Sequence, residues 1–326
     1  MAIEKRRLGK TDIEITPIGL GCWQFGRSFP VVFWRVPPQD EIDQIVKRAL
    51  DGGINWFDTA EIYGRGASER ALCHALGEAG KKAGDVVVAT KWLPMHPYFM
   101  VPRTAGSIPR TFDKRQSCLA PFPIDLFQIH MPYSSSPIEK QMDEMAALVK
   151  AGKIRSVGIS NFSVDQMRRA HAALARHGIL LASNQVRLSL AERQTEISGI
   201  VAAAKELGVT IIAHSPLGSG LLTGKFHKDP QLLKGVPFVR RRRLSRLVEG
   251  TRPLISALDE IAQAHASSAA VVALSWLVNF YGETVVAIPG ATKMSHVDQN
   301  VGALALKLTP AEMKRLDEVS RNAQRA

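Results

Sequence analysis

Cysteine is scarce in this chain: Cys22, Cys73 and Cys118 are the only three, far apart and without a C-x-x-C pair. That spacing argues against a disulfide framework and a zinc site, so no metal is expected, and it suits a reducing compartment. No apolar run reaches the ~18–20 residues needed to span a bilayer. The N-terminus, M-A-I-E-K-R-R-L-G-K, has no apolar segment after its charges, so no secretory signal is expected. These absences point to a cytoplasmic protein without a membrane partner. Neither linker-like composition nor an internal repeat divides the sequence, and one domain over residues 1–326 is the expectation. Positive charge, by contrast, is plentiful, with a net +12 and a sequence pI of about 9.8. Its densest run, Arg240–Arg243 with Arg246, lacks aromatic interleaving, zinc-finger spacing and any RNP-type motif. It reads as a solvated face or mobile loop, with nucleic-acid binding the lesser alternative.

The stretch Gly52–Gly64, G-G-I-N-W-F-D-T-A-E-I-Y-G, organises the rest. Gly52 and Gly53 can end a helix. Ile54–Phe57 is a short apolar run that predicts a buried strand. Asp58 stands directly after it, and Tyr63 follows in the next turn. A carboxylate at the end of a buried strand costs free energy unless it is paired. The plainer alternative is that Asp58 caps the next helix and Tyr63 sits half-buried at a rim.

A hairpin is predicted around Gly9-Lys10-Thr11-Asp12. Strand-like runs follow at Ile15–Leu20, Ile54–Phe57, Val86–Thr90, Ile124–Ile129, Ser156–Ile159, Leu180–Ser183, Thr210–Ala213 and Thr284–Ile288. Helical patterns lie between them at Asp40–Leu50, Ser68–Gly77, Ile138–Lys150, Ser163–His177, Glu196–Leu207 and Pro253–His265, with Ser68 and Ser163 as N-cap candidates. Such alternation implies a parallel sheet, and eight units favour a (β/α)8 TIM barrel over an open sheet. A last helix from about Thr309 to Ser320 is expected beyond the barrel. Trp92–Gly106 and Thr223 to about Thr251 read as long connections, functional or mobile.

In such a barrel the active site lies at the carboxyl ends of the strands. There the sequence places Gly21, Cys22 and Trp23; Asp58 and Tyr63; Lys91; His130; Ser160 and Asn161; Asn184 and Gln185; His214 and Ser215; and Gly290, Ala291 and Thr292. A phenol is a poor acid at neutral pH. A nearby ammonium lowers its pKa, a carboxylate can hold that ammonium, and an imidazole can orient a carbonyl oxygen. Asp58, Tyr63, Lys91 and His130 are thus the parts for protonating a carbonyl oxygen as hydride reaches its carbon.

These segments resemble the aldo-keto reductase family, NAD(P)-dependent barrel oxidoreductases. The likeness rests on G-L-G-C-W-Q-F-G at Gly19–Gly26, I-N-W-F-D-T-A-E-I-Y-G, A-T-K-W at Ala89–Trp92 and D-L-F-Q-I-H at Asp125–His130. It continues with V-G-I-S-N-F-S at Val157–Ser163, S-N-Q-V at Ser183–Val186, S-P-L-G-S-G-L-L-T-G-K at Ser215–Lys225 and I-P-G-A-T-K at Ile288–Lys293. The resemblance implies that Tyr63 is the general acid, tuned by Lys91 and Asp58, with His130 orienting the substrate. It implies Ser160, Asn161 and Gln185 at the nicotinamide carboxamide, with Gly21, Cys22 and Asp58 close by. Ser215, Leu217 and Ser219 would follow the pyrophosphate. Gly290, Ala291, Thr292, Lys293, His296, Gln299 and Asn300 would surround the adenosine end. Trp23 and Trp92 would border the substrate. Neither Gly19-Leu20-Gly21 nor Gly218–Lys225 completes a dinucleotide fingerprint or a P-loop.

The chain also departs from the family pattern. His214 replaces the aromatic residue usually stacked on nicotinamide, His296 replaces a frequent Arg, and Pro94–Arg110 and Ala120–Pro123 are idiosyncratic. The turn Gly290–His296 offers Thr292, Lys293, Ser295 and His296 without an acid. It therefore implies NADPH rather than NADH, with a preference that grows as His296 titrates. NADPH-dependent reduction of an aldehyde or ketone is the expectation. An NAD-dependent alcohol or sugar dehydrogenase and a reductase-like regulatory β subunit are the alternatives.

Overall fold

The structure, a computed structural model, describes residues 3–26, 36–96 and 101–323. Strands β1 (Arg6–Arg7) and β2 (Glu14–Ile15) form the antiparallel hairpin expected around Gly9. Leu8, Ile13 and Ile15 from it are buried against strand residues Trp56, Val87 and Leu126, so the hairpin plugs the bottom of the sheet.

Eight parallel strands pair in chain order: β3 (Leu20–Gly21), β4 (Trp56–Asp58), β5 (Val87–Trp92), β6 (Ile124–Ile129), β7 (Ile154–Ser160), β8 (Leu181–Arg187), β9 (Thr210–His214) and β10 (Val285–Ala287). Parallel bridges from Ile18 to Ala287 and from Gly21 to Gly290 join the first strand to the last. This is the (β/α)8 barrel that the alternation predicts. Helices cover it: α1 (Gln39–Asp51), α2 (Ala67–Glu78), α3 (Ile108–Leu119), α4 (Ile138–Lys150), α5 (Val164–Ala175), α6 (Gln194–Ile197) and α7 (Ile200–Leu207). They continue with α8 (Lys225–Lys228), α9 (Phe238–Gly250), α10 (Arg252–Ala264), α11 (Ala269–Phe280), α12 (Met294–Ala305) and the final α13 (Pro310–Ala323). No single helix among the described residues is long and apolar enough to cross a membrane.

Several boundaries have clear local causes. Helix α1 ends at Gly52, and Gly53 takes φ 86°, the left-handed conformation glycine adopts without penalty. Ser163 caps α5 with a full capping box, its hydroxyl accepting from the Gln166 N–H while Gln166 reaches back to the Ser163 N–H. Ser68 is not a cap: Gly66 precedes α2, and the buried Ser68 hydroxyl donates to the Cys22 carbonyl at 2.6 Å. The single helix expected over Glu196–Leu207 is two, broken at Gly199, where φ is 81°.

The stretch around Arg240–Arg243 is helix α9, not the mobile loop expected from its charge. Leu244 and Val248, one turn apart, are buried against Leu221 and Phe226, and the arginines conceal this narrow apolar stripe in the sequence. Helix α11 lacks an amphipathic period because it is buried nearly all round. Part of the expected long loop Trp92–Gly106 lies outside the described residues, and α3 begins just after it.

Candidate active site

The barrel register brings the candidate groups together. Gly21 pairs with Asp58, Asp58 with Ala89, Lys91 with Gln128, and Ser160 with Gln185. Side chains two residues apart on a strand share a face. Lys91, two residues beyond Ala89, therefore reaches Asp58 across β4 and β5. Its ammonium donates to Asp58 Oδ1 at 2.5 Å and to the Thr59 carbonyl at 2.8 Å. The other carboxylate oxygen accepts from Gln128 Nε2 at 3.0 Å and Gln185 Nε2 at 2.9 Å. This buried carboxylate is thus fully paired, as a charge removed from water requires. Asp58 is not the cap of the following helix.

Tyr63 lies over this pair, with the Lys91 Nζ 5.2 Å from its ring centroid. Trp23 stacks on one side at 6.0 Å, and His130 meets the ring edge-on at 5.8 Å. Burial pushes the Tyr63 phenol well above its ordinary value, and Asp58, then Cys22, add to the rise. The expected lowering of that pKa by Lys91 is absent, because the ammonium is bound to Asp58 and the pair has little net charge. Lys91 is itself held below its ordinary value by burial, with Asp58 opposing. Burial, then Lys91 and His214, hold His130 well below the usual imidazole range. At neutral pH the site thus presents a protonated phenol beside an uncharged imidazole.

A ring of polar groups continues around the strand ends. Ser160 Oγ donates to the Gln185 carbonyl at 2.8 Å, and Asn161 Nδ2 donates to the His130 carbonyl at 3.2 Å. His214 Nε2 faces Asn161 Oδ1 at 3.4 Å. Asn161, Ser215 and Ser219 all have positive φ, and they are three of the five non-glycine residues so placed among the described residues. Strained backbone of this kind gathers at binding sites. Here all three line one cavity of about 750 Å³ that also touches Gly21, Cys22, Trp23, Asp58, Tyr63 and His130.

The cavity continues to Leu217, Thr223, Lys225, Arg240, Gly290, Thr292, His296, Gln299 and Asn300. A Cβ at Gly290 would overlap the terminal amide of Gln24, which would have to swing aside. Burial, then Arg240 and Lys293, lowers the Lys225 pKa, so three cations crowd this end. An anion would relieve their repulsion. Gln24 Oε1, Arg240 Nε and Asn300 Nδ2 are buried here without hydrogen-bond partners among the described residues. Unpaired buried polar atoms beside clustered cations fit a phosphate-bearing dinucleotide.

Most residues singled out in the sequence meet at this cavity, but Lys91, Trp92, Asn184, Ala291, Lys293 and Ser295 do not line it. Trp92 is wholly buried, donates to Ser107 Oγ at 3.1 Å, and borders no substrate space. Ala291 is buried beneath the wall, and Lys293 stands exposed at the start of α12. Asn184 also turns away, donating to the Phe162 carbonyl. His296 behaves differently from expectation. Burial, then Lys225 and Lys293, holds its pKa down, and Nδ1 accepts from the Thr292 N–H at 3.3 Å. Any contribution from its titration therefore moves below the ordinary imidazole range.

Sequence reasoning missed Gln128, although a glutamine inside the apolar run I-D-L-F-Q-I is a visible signal for an inward polar contact. It also missed the cavity residues Ile62, Met131, Tyr133 and Arg187, whereas Arg240, from the run expected to close over an anionic cofactor, lines the cavity and donates to the Ser219 carbonyl at 2.7 Å.

The histidines give a stability prediction. Burial, then Arg187, Lys91 and Arg243, lowers His214 from 6.5 to about 3. His130 is lowered in the same direction. Below pH 6.5, the ordinary histidine value, the unfolded chain binds protons that the folded chain refuses, so stability falls with acidification. Each ring contributes about 1.4 kcal/mol per pH unit in that window. Urea unfolding at pH 7 and pH 5 should show this loss, and His214→Phe should make the slope shallower. An unchanged slope would remove His214 from the account.

Known proteins share this sequence pattern and this fold. The sequence profile described as the Aldo/keto reductase family matches residues 17–321. A chloroplastic pyridoxal reductase from Arabidopsis thaliana is 31% identical over 99% of this chain and 87% of its own length. A probable aldo-keto reductase of Glycine max is 32% identical over 97% of this chain and 88% of its own. The solved glycerol dehydrogenase of Gluconobacter oxydans superposes with a TM-score of 0.76 at 29% identity, covering 98% of this chain and 95% of that one. The chain belongs to the aldo/keto reductase family and is an NAD(P)-dependent oxidoreductase of that type.

Proposed function

We propose that the protein reduces an aldehyde or ketone to an alcohol with NADPH, and that Tyr63 is the general acid. One observation carries this reading: a phenol held protonated by burial stands between Trp23 and His130, above a neutralised Lys91–Asp58 pair. The nicotinamide supplies hydride when bound. Ser160, Asn161 and Gln185 would hold its carboxamide, and Ser215, Leu217 and Ser219, lining the same cavity, would hold the pyrophosphate. His130, uncharged, orients the carbonyl oxygen without competing for the proton. The Tyr63 O–H then donates its proton to that oxygen as negative charge develops there. Lys91, held by Asp58 and 5.2 Å from the ring centroid, forms the floor beneath the phenol. Trp23 and the neighbouring Ile62 and Met131 keep water from the reacting carbon.

NADPH is favoured by Lys293 and Thr292 at the adenosine end, where the turn Gly290–His296 contains no acid. Lys293→Glu should weaken NADPH binding by about tenfold or more and bring NADH level with it or ahead, since it adds repulsion to the 2′-phosphate as it removes attraction. Fluorescence titration with each dinucleotide reads this directly. Equal losses for both would place the 2′-phosphate elsewhere. The activity itself is tested by following NADPH absorbance with a panel of aldehydes and ketones, pyridoxal among them. No oxidation of NADPH with any carbonyl, in protein that binds the dinucleotide, would defeat the proposal. The reducing interior suggested by three free thiols suits a cytoplasmic setting, with no nucleic-acid partner.

A further inference from the structure

On the outer layer, away from the cavity, two of the three free cysteines sit on neighbouring helices. Cys73 lies on α2 and Cys118 on α3, and both are partly exposed. Cys73 Sγ donates to the Ala120 carbonyl at 3.1 Å, two residues beyond Cys118. Arg70, one turn before Cys73 on the same helix, donates from NH1 to Cys118 Sγ at 3.2 Å. A Cβ built at Gly66 would lie 2.9 Å from Arg70 NH1 and 3.0 Å from Cys118 Sγ, so the glycine leaves room for this guanidinium–sulfur contact. Cys22 is quite different, wholly buried in the barrel core.

We propose that Cys118 and Cys73 form a hydroperoxide-sensitive pair that closes to an intramolecular disulfide between α2 and α3. The Cys118 sulfur attacks one peroxide oxygen. The O–O bond breaks, and the departing oxygen leaves as water or an alcohol carrying the thiol proton, which gives a sulfenic acid at Cys118. The Cys73 sulfur then attacks Cys118 Sγ. The S–O bond breaks and water leaves with the Cys73 proton. Two thiols are oxidised by two electrons, and the peroxide is reduced.

The order of the two steps follows from the surroundings. Negative charge developing on the Cys118 sulfur has the Arg70 guanidinium in contact. Burial pushes the Cys73 thiol up, and charge on Cys118 pushes it further, so Cys73 keeps its proton and serves as the resolving thiol. A disulfide needs the two Cα atoms within ~7 Å. The bond from Cys73 to the carbonyl two residues past Cys118 sets both residues at the same level of these neighbouring helices.

The test treats the fully reduced, intact protein with hydrogen peroxide, counts alkylatable thiols after denaturation, and maps the peptides. The expected result is a fall from the three thiols of the reduced chain to Cys22 alone, with one linked peptide pair containing Cys73 and Cys118. A thiol reductant should restore all three. In Cys73→Ser, dimedone should trap a sulfenic acid at Cys118; in Cys118→Ser, Cys73 should survive peroxide. Persistence of all three thiols, a link between two molecules, or a link to Cys22 would overturn the pair. Oxidation of the unmodified protein that stops at the sulfenic acid would do so too. Equal peroxide sensitivity of Cys73 in Cys118→Ser would overturn the order of attack.

Discussion

Tyr63→Phe should lower carbonyl reduction by at least about 10²-fold, the contribution expected of a positioned proton donor. The substitution removes one oxygen and leaves the ring that Trp23 stacks upon and His130 meets edge-on. Dinucleotide affinity, read by fluorescence quenching, should therefore be unchanged. A fall in kcat without a fall in cofactor binding separates lost proton transfer from lost packing. The pH profile of the unmodified enzyme sharpens the point. Reduction needs the phenol protonated, and burial raises its pKa above the ordinary phenol value. The reduction rate should thus persist through the alkaline range and fall only as pH rises through that raised value. Near-normal turnover in Tyr63→Phe would remove Tyr63 from the mechanism, leaving His130 as the remaining candidate donor. Burial, Lys91 and His214 make that group a weak one, since together they keep it unprotonated at neutral pH.

Much of this site is legible in the sequence because barrel topology converts order along the chain into proximity. Asp58 ends β4, Lys91 lies one residue before the end of β5 and His130 follows β6, and parallel pairing in chain order sets those strand ends side by side. What the sequence hides is side-chain direction and screening. Trp92 reads as a pocket residue by its place after Lys91, yet successive strand residues point to opposite faces, so it turns into the helix layer as Lys91 turns inward. The sequence likewise hides which partner claims the Lys91 ammonium, and in the fold it is Asp58. Helix α9 was hidden because only Leu244 and Val248 carry its buried face while its arginines dominate the composition. The His296 ring looks like a phosphate partner in sequence, but its burial beside Lys225 and Lys293 is a tertiary fact.

Lys91→Met should be the most destabilising single change at the site. The ammonium is fully buried, and Asp58 loses its only cationic partner among the described residues. The Gln128 and Gln185 amides still donate to Oδ2, but they carry no charge. Removing one member of a buried pair costs about 3–5 kcal/mol, because the remaining charge is stranded in a medium that solvates it poorly. At roughly 2 °C per kcal/mol for a chain of this size, the melting temperature should fall by about 6–10 °C. The cost lies in the stranded carboxylate and not in the missing methylene packing, so a second substitution distinguishes the two. Asp58→Asn in the Lys91→Met background removes the charge and retains an oxygen that can accept from Gln128 and Gln185. It should recover a large part of the lost stability, because no uncompensated charge then remains in the core. Thermal unfolding of the single and double variants measures the coupling between the two sites. If the double variant is no more stable than Lys91→Met, the loss arises from packing, and the Lys91–Asp58 pair is not what holds the carboxylate in the core.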